Sequence, residues 1–289
     1  MSLPDVIATL SHFTPSDLPG ERKIRIGNPG GDGGYVMLDR FRPGQICYSF
    51  GIAQEITFDL DLAERGLEVF MFDPTIEGPP QAHPRCHFRR EGIGPAKDEE
   101  KALFSLADHM TRLGHDRRDM ILKMDVEGWE WESLAAAGPA VLAHFEQITL
   151  EVHGLRQLHK PVYRARVNAA MDALTAGHTL FHVHANNAVD LAWVEGLPVA
   201  GLLELSLLRK DLAAPVPSRT LYPTALDVPN IRWRPDNMLW FFPFLPAQMD
   251  EDIAARMRED AARIGAQREA AALREKRRAT RAARAAAEA

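Results

Sequence analysis

The sequence predicts an α/β fold, a mainly parallel sheet of seven strands flanked by helices and followed by a helical tail. Three observations predict it. Short apolar runs of strand length alternate with helix-length stretches from about residue 46 to 212, the pattern of βαβ units. Glycine or Gly-Pro closes most of the helical stretches. Polar residues gather at the carboxyl ends of the strand runs, where parallel sheets bind ligands.

Residues 1–45 are rich in Gly, Pro and Asp and hold a dense turn, Gly30-Gly31-Asp32-Gly33-Gly34-Tyr35; they read as an N-terminal segment with a glycine-rich loop. The α/β domain is expected over 46–246. Its first strand is Ile46 to Ile52, followed by a helix from Gln54 to Arg65 that Gly66 stops. A second strand, Glu68 to Phe72, ends at Asp73-Pro74, and a third lies around His87 to Arg90. Lys101 to Leu113 reads as a helix with Leu103, Leu106, Ala107 and Met110 on one face. Met120 to Val126 is the fourth strand, and Glu130 to Ala137 a short helix stopped by Gly138-Pro139. Gln147 to Val152 is the fifth strand and Tyr163 to Ala176 a helix; Thr179 to Val183 and Leu202 to Leu208 are the last strands. Arg232 to Phe242 is rich in aromatics and reads as core packing, with Trp233 as an alternative stacking face for a sugar ring. Residues 247–289, rich in Ala, Arg and Glu, form a helix on propensity. Ile253, Met257, Ile264 and Leu273 are too sparse there for a heptad seam, and the tail turns basic from Arg268. A solvated or frayed helix is the plain reading; contact with another copy of the chain or with an anionic surface is the alternative.

A net charge of −6 argues against a protein built around nucleic acid. Two cysteines, Cys47 and Cys86, are too few for a disulfide framework and read as buried free thiols. The start, MSLPDVIATLSHF, lacks a basic segment followed by a long apolar stretch, and no apolar run is long enough to span a bilayer; the expectation is a cytoplasmic chain.

The turn Ser49-Phe50-Gly51-Ile52 between the first strand and helix is a nucleotide-type cradle with a lone glycine. Close approach of a pyrophosphate favours several glycines, so a ligand without phosphates suits it better. Asp73, about twenty residues on at a strand end, can accept hydrogen bonds from both hydroxyls of a ribose. NAD and S-adenosylmethionine both carry a ribose, so Asp73 alone does not separate them.

Several of these segments are similar to motifs of the FkbM-type methyltransferases and their methyltransferase-like relatives. Lys123-Met124-Asp125-Val126-Glu127-Gly128, followed by Glu130, resembles the family's fourth-strand string, and Glu151-Val152-His153 its Glu-x-His at the fifth strand. Tyr48 to Ile52, the helix with Glu55, Phe58 and Asp59, and Phe72-Asp73-Pro74 resemble its first two strand ends. Gly31-Asp32-Gly33-Gly34-Tyr35 looks like its N-terminal element, and the resemblance spans roughly residues 25 to 240. It implies a Rossmann-like methyltransferase fold with S-adenosyl-L-methionine as cofactor. Ser49, Phe50 and Gly51 would line the cofactor turn, with Glu55 and Pro74 beside it. Asp73 would hold the ribose, Gly92 and Ile93 would lie by the adenine, and Asp32 would fold over the amino-acid end. The implied reaction is methyl transfer to a hydroxyl of a carbohydrate or other small metabolite.

A hydroxyl is a poor nucleophile near neutral pH and needs a base, a metal or both. Asp125, Glu151, His153 and His184 at the strand ends are the catalytic candidates. Asp125 with Glu127, Glu151 with His153, and His182 with His184 each stand two apart, on one face of a strand if the strands continue through them. Asp125, Glu151 and His153 could hold Mg²⁺ or Mn²⁺, or His153 or His184 could act as base without metal. Lys123 reads as a structural partner of a carboxylate or as an acid/base group. The alternatives are a nicotinamide-dependent oxidoreductase and a non-catalytic assembly protein acting through the C-terminal helix.

Overall fold

The computed structural model describes residues 2–115 and 119–287; within the last helix the side chains at 261, 264, 265, 267, 268, 271, 272, 275 and 278–287 lie outside the described set, Ile264 and Arg268 among them. Helix α1 (Leu3–Ser11) precedes a hairpin of β1 (Lys23–Gly27) and β2 (Gly34–Leu38). Then come β3 (Ile46–Phe50), α2 (Thr57–Glu64), β4 (Glu68–Phe72), β5 (Cys86–Arg89), α3 (Leu106–Leu113), β6 (Met120–Met124) and α4 (Glu130–Leu142). The chain continues through β7 (Phe145–Val152), α5 (Pro161–Gly177), β8 (His178–Ala185), β9 (Leu203–Arg209) and α6 (Glu251–Ala287).

The central sheet has seven strands in the order β8-β9-β7-β6-β3-β4-β5. Pairs from β7 to β5 are parallel, while β9 runs antiparallel between β7 and β8. The α/β class read from the sequence therefore stands. The antiparallel insertion was invisible to it, because a buried central strand is apolar whichever way it runs. From β3 the chain builds outward through β4 and β5, then returns to place β6 on the other side of β3. That reversal opens a crevice at the carboxyl ends of β3 and β6, the usual ligand position in such sheets. Phe50 pairs with both Phe72 and Met124, so the three strands end level there.

Both faces of the sheet are covered. Tyr48, Phe50, Leu122 and Met124 join one apolar layer with Trp131, Leu134 and Leu174 of α4 and α5. Cys47, Ile121 and Met71 join the other with Phe58 and Leu62 of α2 and with Tyr35 and Met37 of the hairpin. The Gln147 side chain ties β2 to the sheet, accepting from Leu38 N at 2.9 Å and donating to Leu38 O at 3.1 Å. Cys47 is buried and Cys86 half-buried, and both are free.

Local chemistry moves several boundaries. The helix expected from Lys101 starts at Leu106, because Ser105 caps it: Asp108 N donates to Ser105 Oγ, and Asp108 Oδ2 accepts from Ser105 N. Leu103–Phe104 instead pairs with Gly92–Ile93 as a short parallel ladder. The helix expected to stop at Gly138-Pro139 resumes: Gly138 breaks it at φ 64° and Pro139 opens a second piece ending at Leu142. The strands expected to reach Ile52 and Val126 end at Phe50 and Met124, leaving Gly51 and Asp125 on loops. Among the described residues no helix is long and apolar enough to cross a membrane. In α6, Ile253 is buried and Leu273 is exposed.

Candidate functional site

At the crevice, Gly51 turns the chain at φ 72°, and a side chain there would run into the Asp125 carbonyl oxygen. The glycine is required both by its left-handed backbone and by the approach of the neighbouring loop. Lys123, buried at the end of β6, donates to Gly51 O and stands 3.7 Å from Asp125 Oδ2, so one ammonium holds both loops. Asp73 closes the turn from the other side. Its Oδ2 accepts from Ile52 N at 3.1 Å and Ala53 N at 2.9 Å, its Oδ1 from Thr75 N at 2.8 Å and Thr75 Oγ1 at 2.6 Å. Burial would raise this carboxyl, but the bonds from Thr75, Ala53 and Ile52 hold it below the ordinary carboxylate range. Asp73 thus ties the loop after β3 to the loop after β4.

Two chambers meet at this turn. The larger, about 350 Å³, is lined mainly by apolar groups: Phe50, Phe72, Pro74, Gly92, Ile93, Leu103, Val126 and Trp129, with Asp73 and Thr75 at one edge. Phe50 and Phe72 are stacked, ring centroids 4.5 Å apart, and His109 lies against Phe72 at 4.5 Å. The smaller, about 160 Å³, is bounded by Asp32, Glu55, Asp59, Asp125, Glu127 and Glu151 against one cation, Lys123, with Tyr35 and Phe58 completing it. Gly51, Ala53, Asp125 and Glu127 belong to both walls. Gly33, at φ 81°, lets the glycine-rich loop lie against Glu55, whose side chain a Cβ there would strike. Burial pushes Asp59 up to about 6 and raises Asp125.

Of the sequence-predicted cofactor residues, the structure brings Phe50, Gly51, Asp73, Pro74, Gly92 and Ile93 to the larger chamber and Asp32 and Glu55 to the smaller. Ser49 lines neither. Strand alternation turns it to the opposite face from Phe50, and it is fully buried.

The catalytic candidates divide. Asp125 and Glu151 line the smaller chamber. His153 sits in a cage of carboxylates: Nδ1 meets Glu130 Oε1 at 3.0 Å, and Nε2 meets Glu127 at 3.3 Å and Glu151 at 3.4 Å. Burial would lower the imidazole, but Glu130 and Glu151 outweigh it and push His153 up to about 10. With both ring nitrogens facing carboxylates, the imidazole sits in an ion-pair cage beside Asp125 and Glu127, the acids whose oxygens converge with it. Glu130, fully buried, also accepts from Val126 N and Gly128 N, fixing the loop on which Glu127 adopts φ 54°.

His184 lies away from these two chambers. It is buried between Glu204, 2.9 Å from Nδ1, and Asp236, 3.1 Å from Nε2, and lines neither chamber. It pins the segment around Asp236 to β9. Of the expected metal trio, Asp125 and His153 fall in one convergent group, while Glu151, 3.4 Å from His153, falls in another. The acidic and imidazole atoms that converge are those of Asp125, Glu127 and His153, and separately those of Asp32, Glu151 and Glu204.

Sequence reading missed Thr75, Trp129, Glu204 and Asn230. Glu204 carried a signal, a lone acid in the otherwise apolar run Leu202 to Leu208. Asn230 carried none: it reaches the site from an irregular segment and donates to Asp32 Oδ1 at 2.8 Å and Glu204 Oε1 at 2.7 Å.

No family model matches the chain, and no curated protein matches it. Among solved structures it is similar to a candidate hemolysin from Streptococcus thermophilus, at 12% identity and TM-score 0.34 over 62% of this chain and 72% of that one. It is similar to a candidate methyltransferase from an antibiotic biosynthesis pathway of Anabaena variabilis, at 12% identity and TM-score 0.29 over 50% of this chain and 62% of that one. A third is a 16S rRNA (adenine(1408)-N(1))-methyltransferase from Catenulisporales acidiphilia, at 11% identity and TM-score 0.29 over 67% and 99%. Likeness at this level carries no chemistry across.

Proposed function

We propose that this chain is an S-adenosylmethionine-dependent methyltransferase that methylates a hydroxyl of a carbohydrate or another small metabolite. The observation that carries the reading is the pairing of chambers at the Gly51 turn. One is apolar and roomy enough for a nucleoside base; the other sets six carboxyl side chains against one lysine. A pyrophosphate would meet that acidic wall with like charge, whereas the sulfonium and ammonium of S-adenosylmethionine meet it with opposite charge. The lone glycine points the same way. This weighs against the nicotinamide alternative.

When bound, S-adenosylmethionine supplies a methyl group already activated by its sulfonium. The chain's own part is alignment, exclusion of water and proton removal. Phe50, Ile93 and Leu103 offer the base an apolar slot, and the Asp73 turn faces the ribose. Asp32 and Glu55 attract the ammonium. Asp125 lines the wall common to both chambers, which supports giving it the role of proton acceptor. The imidazolium of His153 keeps the surrounding carboxylates in place. The preference for a carbohydrate acceptor rests on the FkbM-type resemblance.

The test is transfer of labelled methyl from S-adenosylmethionine to a panel of hydroxylated acceptors. Asp125→Asn is expected to retain cofactor binding and lose transfer by about a hundredfold or more, the usual scale of a lost general base. Full transfer by Asp125→Asn removes it from the mechanism, and no transfer to any hydroxyl acceptor removes the proposed chemistry.

A further inference from the structure

The segment Arg232-Trp233-Arg234-Pro235 stands outside the two chambers, and its tryptophan is not core packing: Trp233 is 67% exposed. The backbone of this segment is nonetheless fixed from beneath. Asn187, buried at 2% exposure, donates through Nδ2 to the carbonyl oxygens of Ile231, Arg234 and Pro235. Its Oδ1 accepts from Ile231 N at 2.7 Å. One buried amide thus holds both ends of the turn that presents Trp233 to water. Arg232 Nε donates to Gly30 O, which ties the same turn to the glycine-rich loop. An indole set in water on a fixed backbone can stack on a ligand with little further ordering.

Trp233 borders a cavity of about 240 Å³, closed by Arg232, Arg234, Pro235 and Asp236 on one side and by Arg274 of α6 on the other. Its wall is basic, although the chain carries a net charge of −6. Asp236 is the acid in that wall, and both its oxygens face His184 Nε2 at 3.1 Å. Arg234 pairs with Asp190, whose side chain is 84% exposed, so water screens that pair. Arg232 and Arg274 have no carboxylate within ion-pair distance among the described residues. An adjoining cavity of about 490 Å³ shares Pro229 and Asp236 and runs on between the same segment and α6.

Guanidinium forks beside an indole face suit an oxyanion carried on a ring. The forks bond the anion, and the indole stacks on the C–H face of the ring. We propose that Arg232, Trp233, Arg234 and Arg274 bind an acidic sugar unit, one bearing a carboxylate or a phosphate, and that this unit anchors the acceptor of methyl transfer. The anchoring rests on the proposed function; the binding does not. A neutral sugar would leave the arginines unanswered, and a bare anion would leave Trp233 unused. The adjoining cavity gives room for neighbouring units of a glycan.

The test is a ligand-observed NMR titration of the full chain, without cofactor, using glucuronate, glucose-6-phosphate, glucose and inorganic phosphate. At least one of the two acidic sugars is expected to bind with Kd of about 1 mM or tighter, and the one that binds tells carboxylate from phosphate. Glucose and inorganic phosphate should each bind at least about fivefold more weakly. Trp233→Ala and Arg274→Ala, both changes of exposed side chains, should each weaken binding of the acidic sugar by at least about fivefold. Trp193→Ala, an equally exposed indole at 74%, should bind like the parent. Absence of saturable binding of either acidic sugar up to about 10 mM, glucose or phosphate binding as tightly, parental affinity in Trp233→Ala or Arg274→Ala, or loss of binding in Trp193→Ala each overturns the proposal. Acidic-sugar binding with no methyl transfer to any acceptor would leave this site standing and remove the proposed function. Transfer to neutral sugars with no acidic-sugar binding would do the reverse.

Discussion

At the residue scale, one glycine and one buried ion pair bear most of the site. Gly51→Ala must place a side chain at φ 72° against the Asp125 carbonyl. The backbone strain alone costs about 1–3 kcal/mol, so urea unfolding of this variant should show a clearly lower midpoint, with cofactor affinity lost in parallel. His153→Ala leaves the fully buried Glu130 without its imidazolium partner. Breaking such a pair from one side should destabilise the fold by about 3 kcal/mol. The double variant Glu130→Gln/His153→Ala should recover part of that loss in the same assay. A His153→Ala protein of parental stability would mean that the pair is not formed. These residues were legible as a motif. Their roles were not, because a histidine two positions from a glutamate reads equally as base, ligand or ion-pair partner until its neighbours from other strands are known.

At the element scale, every strand of the sheet but the edge strand β5 was visible as an apolar run, and the errors lie at the ends. A periodic pattern says which face is buried but not where capping begins. Ser105 took over the start of α3 because its hydroxyl and Asp108 satisfy each other's backbone donors. Ser105→Ala should cost about 1 kcal/mol, read as a small drop in thermal midpoint; no change would show that Leu103–Phe104 alone sets the boundary. The antiparallel course of β9 was illegible for a different reason. Direction leaves no trace in a run that is buried on both faces, and only the partner registers of β7 and β8 reveal it.

At the scale of the whole molecule, the site is assembled from distant segments. Asn230 reaches Asp32 across 198 positions of sequence and Glu204 across 26. No local pattern encodes such a meeting, which is why Asn230 went unread while Gly51, Asp73 and Asp125 did not. The apolar chamber also ties global stability to pH. Burial lowers His109, packed beneath Phe50 and Phe72, from 6.5 to about 4. The folded state keeps it neutral while the unfolded chain takes up a proton as pH falls below 6.5. The stabilising term is therefore complete above that pH and is lost progressively down to about 4, by up to roughly 3 kcal/mol. His109→Leu should flatten the stability profile between those limits; an unchanged slope would assign the loss to other groups.

The central claim is that the chambers meeting at Gly51 accept S-adenosylmethionine and not a dinucleotide. Isothermal titration of the full chain with S-adenosylhomocysteine and, separately, with NAD measures this most directly. The account predicts saturable binding of one S-adenosylhomocysteine per chain, weakened by Asp73→Ala, and no heat of binding from NAD. Saturable binding of NAD with none of S-adenosylhomocysteine would contradict it.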